Sequence, residues 1–198
     1  MRKVVVANFV SLDGYFEGPG NNVMALPFDA AFSDYNAERM READTLLLGR
    51  TTFENFRGYW PSVADDPNAR DVDREISRLH RATDRLVVSD SLTLADTAPW
   101  QDNTRIVPRA DAHAEVAALR RGPGRDILVL GSHHLWNDLL VAGLVDELHL
   151  MIGAGVVGGG TPAFGSGKPA NLRLLDTRTW DGQGVVLARY AVPEAQAG

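Results

Sequence analysis

Thr45-Leu46-Leu47-Leu48-Gly49-Arg50-Thr51-Thr52-Phe53-Glu54 is the stretch on which the fold turns. Leu46–Leu48 has the composition of a short buried strand. Gly49 ends it, and Phe53, Glu54 and Phe56 then read as the opening of a helix. A strand that passes through glycine into a helix leaves free backbone N–H groups and the positive end of a dipole at the turn. Such a turn suits an anion, phosphate above all. Arg50 adds a planar, permanently charged fork matched to phosphate oxygens, and Thr51 and Thr52 add hydroxyls. The plainer reading is a strand–helix connection with threonine N-caps and Arg50 in a surface ion pair, and the turn alone does not separate the two.

Working outward, the same grammar recurs. Lys3–Val10 is a nearly continuous apolar run, as expected of a strand covered on both faces. Ser11-Leu12-Asp13-Gly14 is a turn and Glu17–Asn22 a flexible loop. Phe28, Phe32 and Tyr35 fall at helical spacing and predict a helix to about Ala43. Tyr59-Trp60-Pro61 is expected to close the helix after Gly49. Ala64–Asn68 reads as a polar surface loop, and Val72, Ile76 and Leu79 mark another amphipathic helix. Arg85–Ser89 and Arg105–Pro108 read as strands. Ala112, Val116 and Leu119 mark a helix stopped by Gly122-Pro123-Gly124. Ile127–Leu130 runs as a strand into Gly131-Ser132. The pairs Leu135/Leu139 and Trp136/Leu140 then line one helix face. Val145–Ile152 is a further strand. Gly153–Gly167 holds seven glycines and reads as a long irregular loop. Leu172–Trp180 and Val185–Val192 alternate, and Asp181-Gly182-Gln183-Gly184 between them is a hairpin signal. The pattern predicts one α/β domain over residues 1–192, with helices on both faces of a mostly parallel sheet and a C-terminal antiparallel hairpin. Residues 193–198 read as a frayed tail.

The totals narrow the function. A formal net charge of −6 argues against nucleic acid as the partner but allows a local basic pocket for one small anion. The chain is 44% hydrophobic, and no apolar stretch reaches the length of a membrane span. The start, Met1-Arg2-Lys3 before an apolar run, is faintly like a signal peptide. Asn8, Ser11 and Asp13 interrupt it, and a first strand in a cytoplasmic protein is the expectation. There is no cysteine, hence no thiol nucleophile, disulfide or cysteine-based zinc site. The histidines suggest no metal. His133 and His134 are adjacent and cannot both face one site from a regular helix start. His149 reads as a packed or surface strand residue, and His80 and His113 as exposed helix residues.

Two strand-to-helix turns carry glycine, Gly49-Arg50-Thr51 and Gly131-Ser132-His133. In an open α/β sheet ligands bind beyond the carboxyl ends of parallel strands. Two such turns suit one extended anionic ligand, and a dinucleotide fits. Neither is G-x-G-x-x-G or a Walker loop. Gly158-Gly159-Gly160 reads equally as a flexible connection or a phosphate contact.

With these pieces in order, the chain resembles the dihydrofolate reductase-like fold and, within it, the reductase domain of the riboflavin-biosynthesis deaminase-reductase. Ser11-Leu12-Asp13-Gly14, Leu46–Glu54, Tyr59-Trp60-Pro61, Val87-Val88-Ser89, Val129-Leu130-Gly131-Ser132 and Val145-Asp146-Glu147-Leu148 carry the resemblance. It spans roughly Met1 to Val192. It implies a three-layer α/β/α domain with a mixed eight-stranded sheet, an NADPH site, a small heterocyclic or sugar-derived substrate, and often a homodimer. By the same resemblance Gly49, Arg50, Thr51 and Thr52 hold the cofactor phosphates, and Ser89 and Asp90 lie near the adenosine ribose. Gly131, Ser132, His133 and Leu135 line the pyrophosphate and nicotinamide. Ser11, Asp13 and Gly14 form a loop over the nicotinamide and substrate, although simple turn chemistry explains Asp13-Gly14 equally well. Asp29 and Asp34, on the first helix, or a bound water, are the candidates for proton donor.

The chain departs from that pattern at two points. Without cysteine it lacks a C-x-x-C zinc deaminase. Asp90 stands where relatives often carry a basic or small polar residue, so NADH competes with the NADPH that Arg50 favours. Asp90 is also free to point to solvent or to pair with Arg50 or Arg85. The expectation is an NAD(P)H-dependent reductase, with a non-catalytic nucleotide-binding or scaffolding protein as the alternative.

Overall fold

The computed structural model describes residues 1–165 and 171–193. The chain enters at β1 (Val4–Val10), every residue of which is buried. Val5, Ala7 and Phe9 belong to one apolar layer and Val4, Val6 and Val10 to the other. A strand covered on both sides needs no polar alternation, and this accounts for the unbroken run. A short strand β2 (Tyr15–Glu17) follows the Ser11–Gly14 turn. Next come α1 (Ala30–Glu42), β3 (Ala43–Gly49), α2 (Arg50–Val63), α3 (Asp71–Ala82) and β4 (Asp84–Val88). Then follow β5 (Thr104–Val107), α4 (Ala112–Arg121), β6 (Asp126–Leu130), α5 (His133–Val141) and β7 (Glu147–Ile152). The chain ends with β8 (Thr161–Pro162), β9 (Arg173–Thr179) and β10 (Val186–Ala191).

Among the described residues the main sheet has eight strands in the order β5-β4-β3-β6-β1-β7-β10-β9, and β2 pairs with β8 separately. Its first six strands are parallel, while β10 runs antiparallel to β7 and β9 to β10. Phe53 of α2, Ile76 of α3 and Tyr35 of α1 pack into one face. Val116 of α4 and Trp136 and Leu139 of α5 pack into the other, making three layers. Because β6 lies between β3 and β1, the carboxyl ends of β3 and β6 are neighbours. That juxtaposition sets the two glycine turns side by side.

Several local expectations change. The helix after Gly49 runs through Tyr59-Trp60-Pro61 to Val63; Pro61 has no N–H for the Arg57 carbonyl, so it removes one ladder bond near the end without stopping the helix there. Phe28 precedes α1 rather than lying on it. It packs instead in an aromatic trio with Phe9 and Phe32, at centroid distances of 4.7–5.6 Å. Gly153–Gly165 is not wholly irregular, since Thr161–Pro162 pairs with β2; residues 166 and 167 of the expected loop lie outside the described residues. The alternation read over Leu172–Trp180 does not bury one face: all seven residues of β9 are exposed at the sheet edge. His80 is not a surface residue. It is 1% exposed, stacked between Trp60 at 5.2 Å and Trp100 at 5.7 Å. Burial pushes its pKa down to about 3. Arg85, also buried, lies 4.1 Å from the centre of the Trp100 ring and donates to Asn103. His149 is packed as expected, between the Tyr35 hydroxyl at 2.7 Å and Glu147 at 2.8 Å. The frayed tail expected over 193–198 falls, from 194 onward, outside the described residues.

Candidate functional site

At the carboxyl edge of the sheet, α2 begins at Arg50 directly after Gly49, and α5 begins at His133 directly after Ser132. Both helices present first-turn N–H groups that have no carbonyl partner within the helix. The turns are bonded to each other. The Gly49 N–H donates to Ser132 Oγ at 3.0 Å, and the Ser132 N–H donates to Thr52 Oγ1 at 2.8 Å. Ser132 Oγ donates in turn to the Leu130 carbonyl at 3.0 Å.

Gly131 and Ser132 have φ of +57° and +53°, two left-handed residues in succession. Glycine is required at 131 for a second reason: a Cβ there would lie 2.9 Å from Thr52 Cγ2. The side chain of Asn8 brackets the same residue. Its Oδ1 accepts from the Gly131 N–H at 2.7 Å, and its Nδ2 donates to the Gly131 carbonyl at 3.2 Å. Asn8 is absent from the sequence-level site. Its signal was a lone amide inside Val4–Val10, where any polar side chain must find partners.

Arg50 is exposed and pairs with Glu54 one turn on, at 3.0 Å. The plainer reading of Arg50 therefore describes this conformation, and the guanidinium remains at the helix start. Thr51 and Thr52 lie inside α2 rather than capping it; Gly49 holds the N-cap position. Ser89 is buried, with its Oγ accepting from the N–H groups of Ser91 and Leu92 at 3.2 and 3.1 Å. Asp90 pairs with neither Arg50 nor Arg85. Its Oδ1 accepts from the Arg109 N–H at 2.9 Å, and its other oxygen lies 3.6 Å from the Arg109 guanidinium. The loops after β4 and β5 bring these two together, while Arg85 points into the core.

The segment after β7 packs on the Ser11–Gly14 loop and on the first residues of α5. Asp13 accepts from the Val157 and Gly158 N–H groups at 3.1 and 2.8 Å. A hydrogen bond from Ser11 and these amides hold its carboxyl down at about 2. Ser11 Oγ accepts from the Tyr15 N–H, and the Gly14 carbonyl from Ala163. Opposite, His133 Nε2 lies 2.8 Å from the Pro162 carbonyl and 3.1 Å from that of Ala163. Both of its partners among the described residues are carbonyl acceptors, so Nε2 carries the proton. Burial lowers the pKa of this ring, so the neutral Nε2–H form is the one that fits. Asn137, also missed at sequence level, donates to Ala163 and accepts from Gly165. Phe16 lies 4.9 Å from the His133 ring. Leu135 is half-buried on α5, beside the core.

The two aspartates part company. Asp29 sits at the N-cap position of α1 without capping it, and its Oδ1 is buried without a hydrogen-bond partner among the described residues. Asp34 is exposed and lines a different groove, with Glu38, Arg41, Glu75 and Trp180. Among the described residues no group of three or more His, Asp or Glu side chains could hold a metal, and no helix is long and apolar enough to cross a membrane.

The parallel strands with β6 inserted between β3 and β1, the added antiparallel pair and the paired glycine turns define a dihydrofolate reductase-like α/β domain. Residues 2–187 match the family described as the RibD C-terminal domain, and the chain belongs to that family. It is 32% identical over 192 residues to the uncharacterized protein YyaP of Bacillus subtilis, covering 96% of this chain and 94% of that one. The same fold is seen in a putative riboflavin biosynthesis protein from Shewanella sp. PV-4, with a TM-score of 0.67 and 19% identity over 98% of this chain and 99% of that one. A diaminohydroxyphosphoribosylaminopyrimidine deaminase/5-amino-6-(5-phosphoribosylamino)uracil reductase from Thermotoga maritima shares it at a TM-score of 0.68 and 12% identity. There the match covers 97% of this chain and 57% of the other.

Proposed function

We propose that the protein is an NADPH-dependent reductase acting on a small heterocyclic or sugar-derived C=N or C=O compound. The observation that carries this reading is the bonded pair of turns, Gly49 to Ser132 and Ser132 to Thr52, which sets two helix N-termini side by side. One such terminus accommodates a phosphate, and two adjacent ones suit a pyrophosphate. The family's resemblance to riboflavin-pathway reductases supports the same cofactor. A bound nicotinamide would supply the hydride. The chain's own residues bind, orient and exclude water. First-turn amides of α2 and α5, the Thr51 hydroxyl and Arg50, once released from Glu54, would hold the phosphates. The Asp13-clamped segment forms the wall on the substrate side. Asp29, with a carboxylate oxygen that no group among the described residues satisfies, is the proton donor or the anchor for a substrate N–H. We also propose a homodimer, in which a second copy covers the exposed edge strand β9; a monomeric mass by light scattering would count against it.

The test is titration with NADPH, followed by absorbance of nicotinamide oxidation in the presence of pyrimidine, pterin and sugar-imine candidates. Binding followed by substrate-dependent oxidation is expected. Tight binding with no turnover on any of them would leave a nucleotide-binding module, and absence of binding would end the reading altogether.

A further inference from the structure

We infer that Asn8 is the positioning residue that keeps the Gly131–Ser132 turn in its ligand-binding shape, a role resting on the dinucleotide reading of that turn. The parallel ladder between β1 and β6 ends at Ala7 and Leu130. One residue further, the Asn8 carboxamide replaces the ladder. It accepts from the Gly131 N–H at 2.7 Å and donates to the Gly131 carbonyl at 3.2 Å. A primary amide offers a donor and an acceptor on separate atoms in one plane, whereas an ionised carboxylate of the same reach only accepts.

The turn needs such a bracket. Left-handed backbone at a serine is disfavoured, and here it directly follows left-handed Gly131. Relaxing either residue would rotate the first N–H groups of α5 away from those of α2. Thr52 and Ser132 restrain the turn from the ligand side. Asn8 restrains it from the sheet, where it is 4% exposed and held on β1 between two parallel strands. It acts through Gly131, and the amide geometry rather than bulk is what the position demands.

Asn8→Asp and Asn8→Leu separate these demands. In the first, an ionised carboxylate keeps an acceptor for the Gly131 N–H but turns a second oxygen on the Gly131 carbonyl. Protonation restores an O–H donor there. Each protein is titrated calorimetrically with NADP⁺, which tolerates acid, from about pH 8 down to about pH 5, a range chosen because burial raises a carboxyl above its ordinary value. At the upper end both variants should bind about tenfold more weakly than wild type. Relative to wild type at the same pH, Asn8→Asp should regain affinity on acidification and Asn8→Leu should not. Wild-type affinity in both folded variants, or a loss in Asn8→Asp that ignores pH, would overturn the inference. If Asn8→Leu does not fold, the pH profile of Asn8→Asp decides alone. If wild type itself binds no dinucleotide, the reading of the site fails instead. Amide exchange then judges Asn8: faster exchange confined to Gly131–His133 in Asn8→Asp supports the bracket, and unchanged exchange there refutes it.

Discussion

The Ser132 N–H reaches the Thr52 hydroxyl across 2.8 Å, joining residues that stand 80 positions apart. This contact makes one site of two turns. Thr52→Val keeps the shape of the side chain and removes the acceptor, leaving the Ser132 N–H unsatisfied in a half-buried setting. The expected cost is about 1–3 kcal/mol of stability, accompanied by weaker dinucleotide binding. Denaturant melts and a cofactor titration check both parts, and a variant unchanged in each would show the contact to be incidental.

Arg50→Ala should weaken cofactor binding by about 1.5–3 kcal/mol, the usual worth of a hydrogen bond to a charged group, without lowering stability appreciably. Its present partner Glu54 is an exposed helix neighbour, and such pairs contribute about 0.3–0.5 kcal/mol. Glu54→Gln should therefore tighten binding slightly by releasing the guanidinium. A cofactor dissociation constant unmoved by Arg50→Ala would return Arg50 to a surface ion pair.

Cofactor choice depends on Asp90. Its carboxylate is held beside Arg109, exposed enough that its repulsion of a 2′-phosphate is on the order of 1 kcal/mol. A direct Arg50–phosphate contact is stronger, so NADPH should bind more tightly than NADH. Asp90→Ser should raise NADPH affinity and leave NADH affinity nearly unchanged. Parallel titrations of both nucleotides decide. Tighter NADH binding by the wild type would reverse the preference, and indifference to the substitution would place the carboxylate away from the ribose.

Acid should destabilise the protein through His80. Burial between Trp60 and Trp100 holds its pKa at about 3, against 6.5 for a free histidine. The unfolded chain therefore binds a proton that the folded one refuses. The stability of the neutral ring is complete above about pH 6.5 and falls as pH drops toward about 3, by about 1.4 kcal/mol per pH unit for one proton. His80→Phe should preserve the stack, melt near wild type at neutral pH and flatten this part of the pH profile. Equal acid slopes in both proteins would mean that another group, such as buried His149, governs acid unfolding.

Much of this architecture was readable from local pattern. The apolar runs Val4–Val10, Leu46–Leu48 and Ile127–Leu130 declared buried parallel strands, because strands covered on both faces tolerate no polar alternation. Glycine after two of them marked the turns, and the order of the short motifs was enough to place the chain in its fold. His80, by contrast, looked like an amphipathic helix's surface residue. Nothing near it in the chain foretold Trp100, which arrives from a loop 20 positions later. Asp90 likewise had nearby arginines to choose from and met Arg109 instead.

What the sequence by itself determined was the kind and order of the elements, since propensity, periodicity and turn chemistry act over a few residues. Which polar groups meet was decided only by tertiary structure. The insertion of β6 between β3 and β1 sets Asn8 against Gly131 and Thr52 against Ser132. Pairing in a parallel sheet joins residues far apart in the chain, and no local pattern encodes that choice. The same long-range order leaves β9 at an edge with both faces exposed, although its sequence alternates.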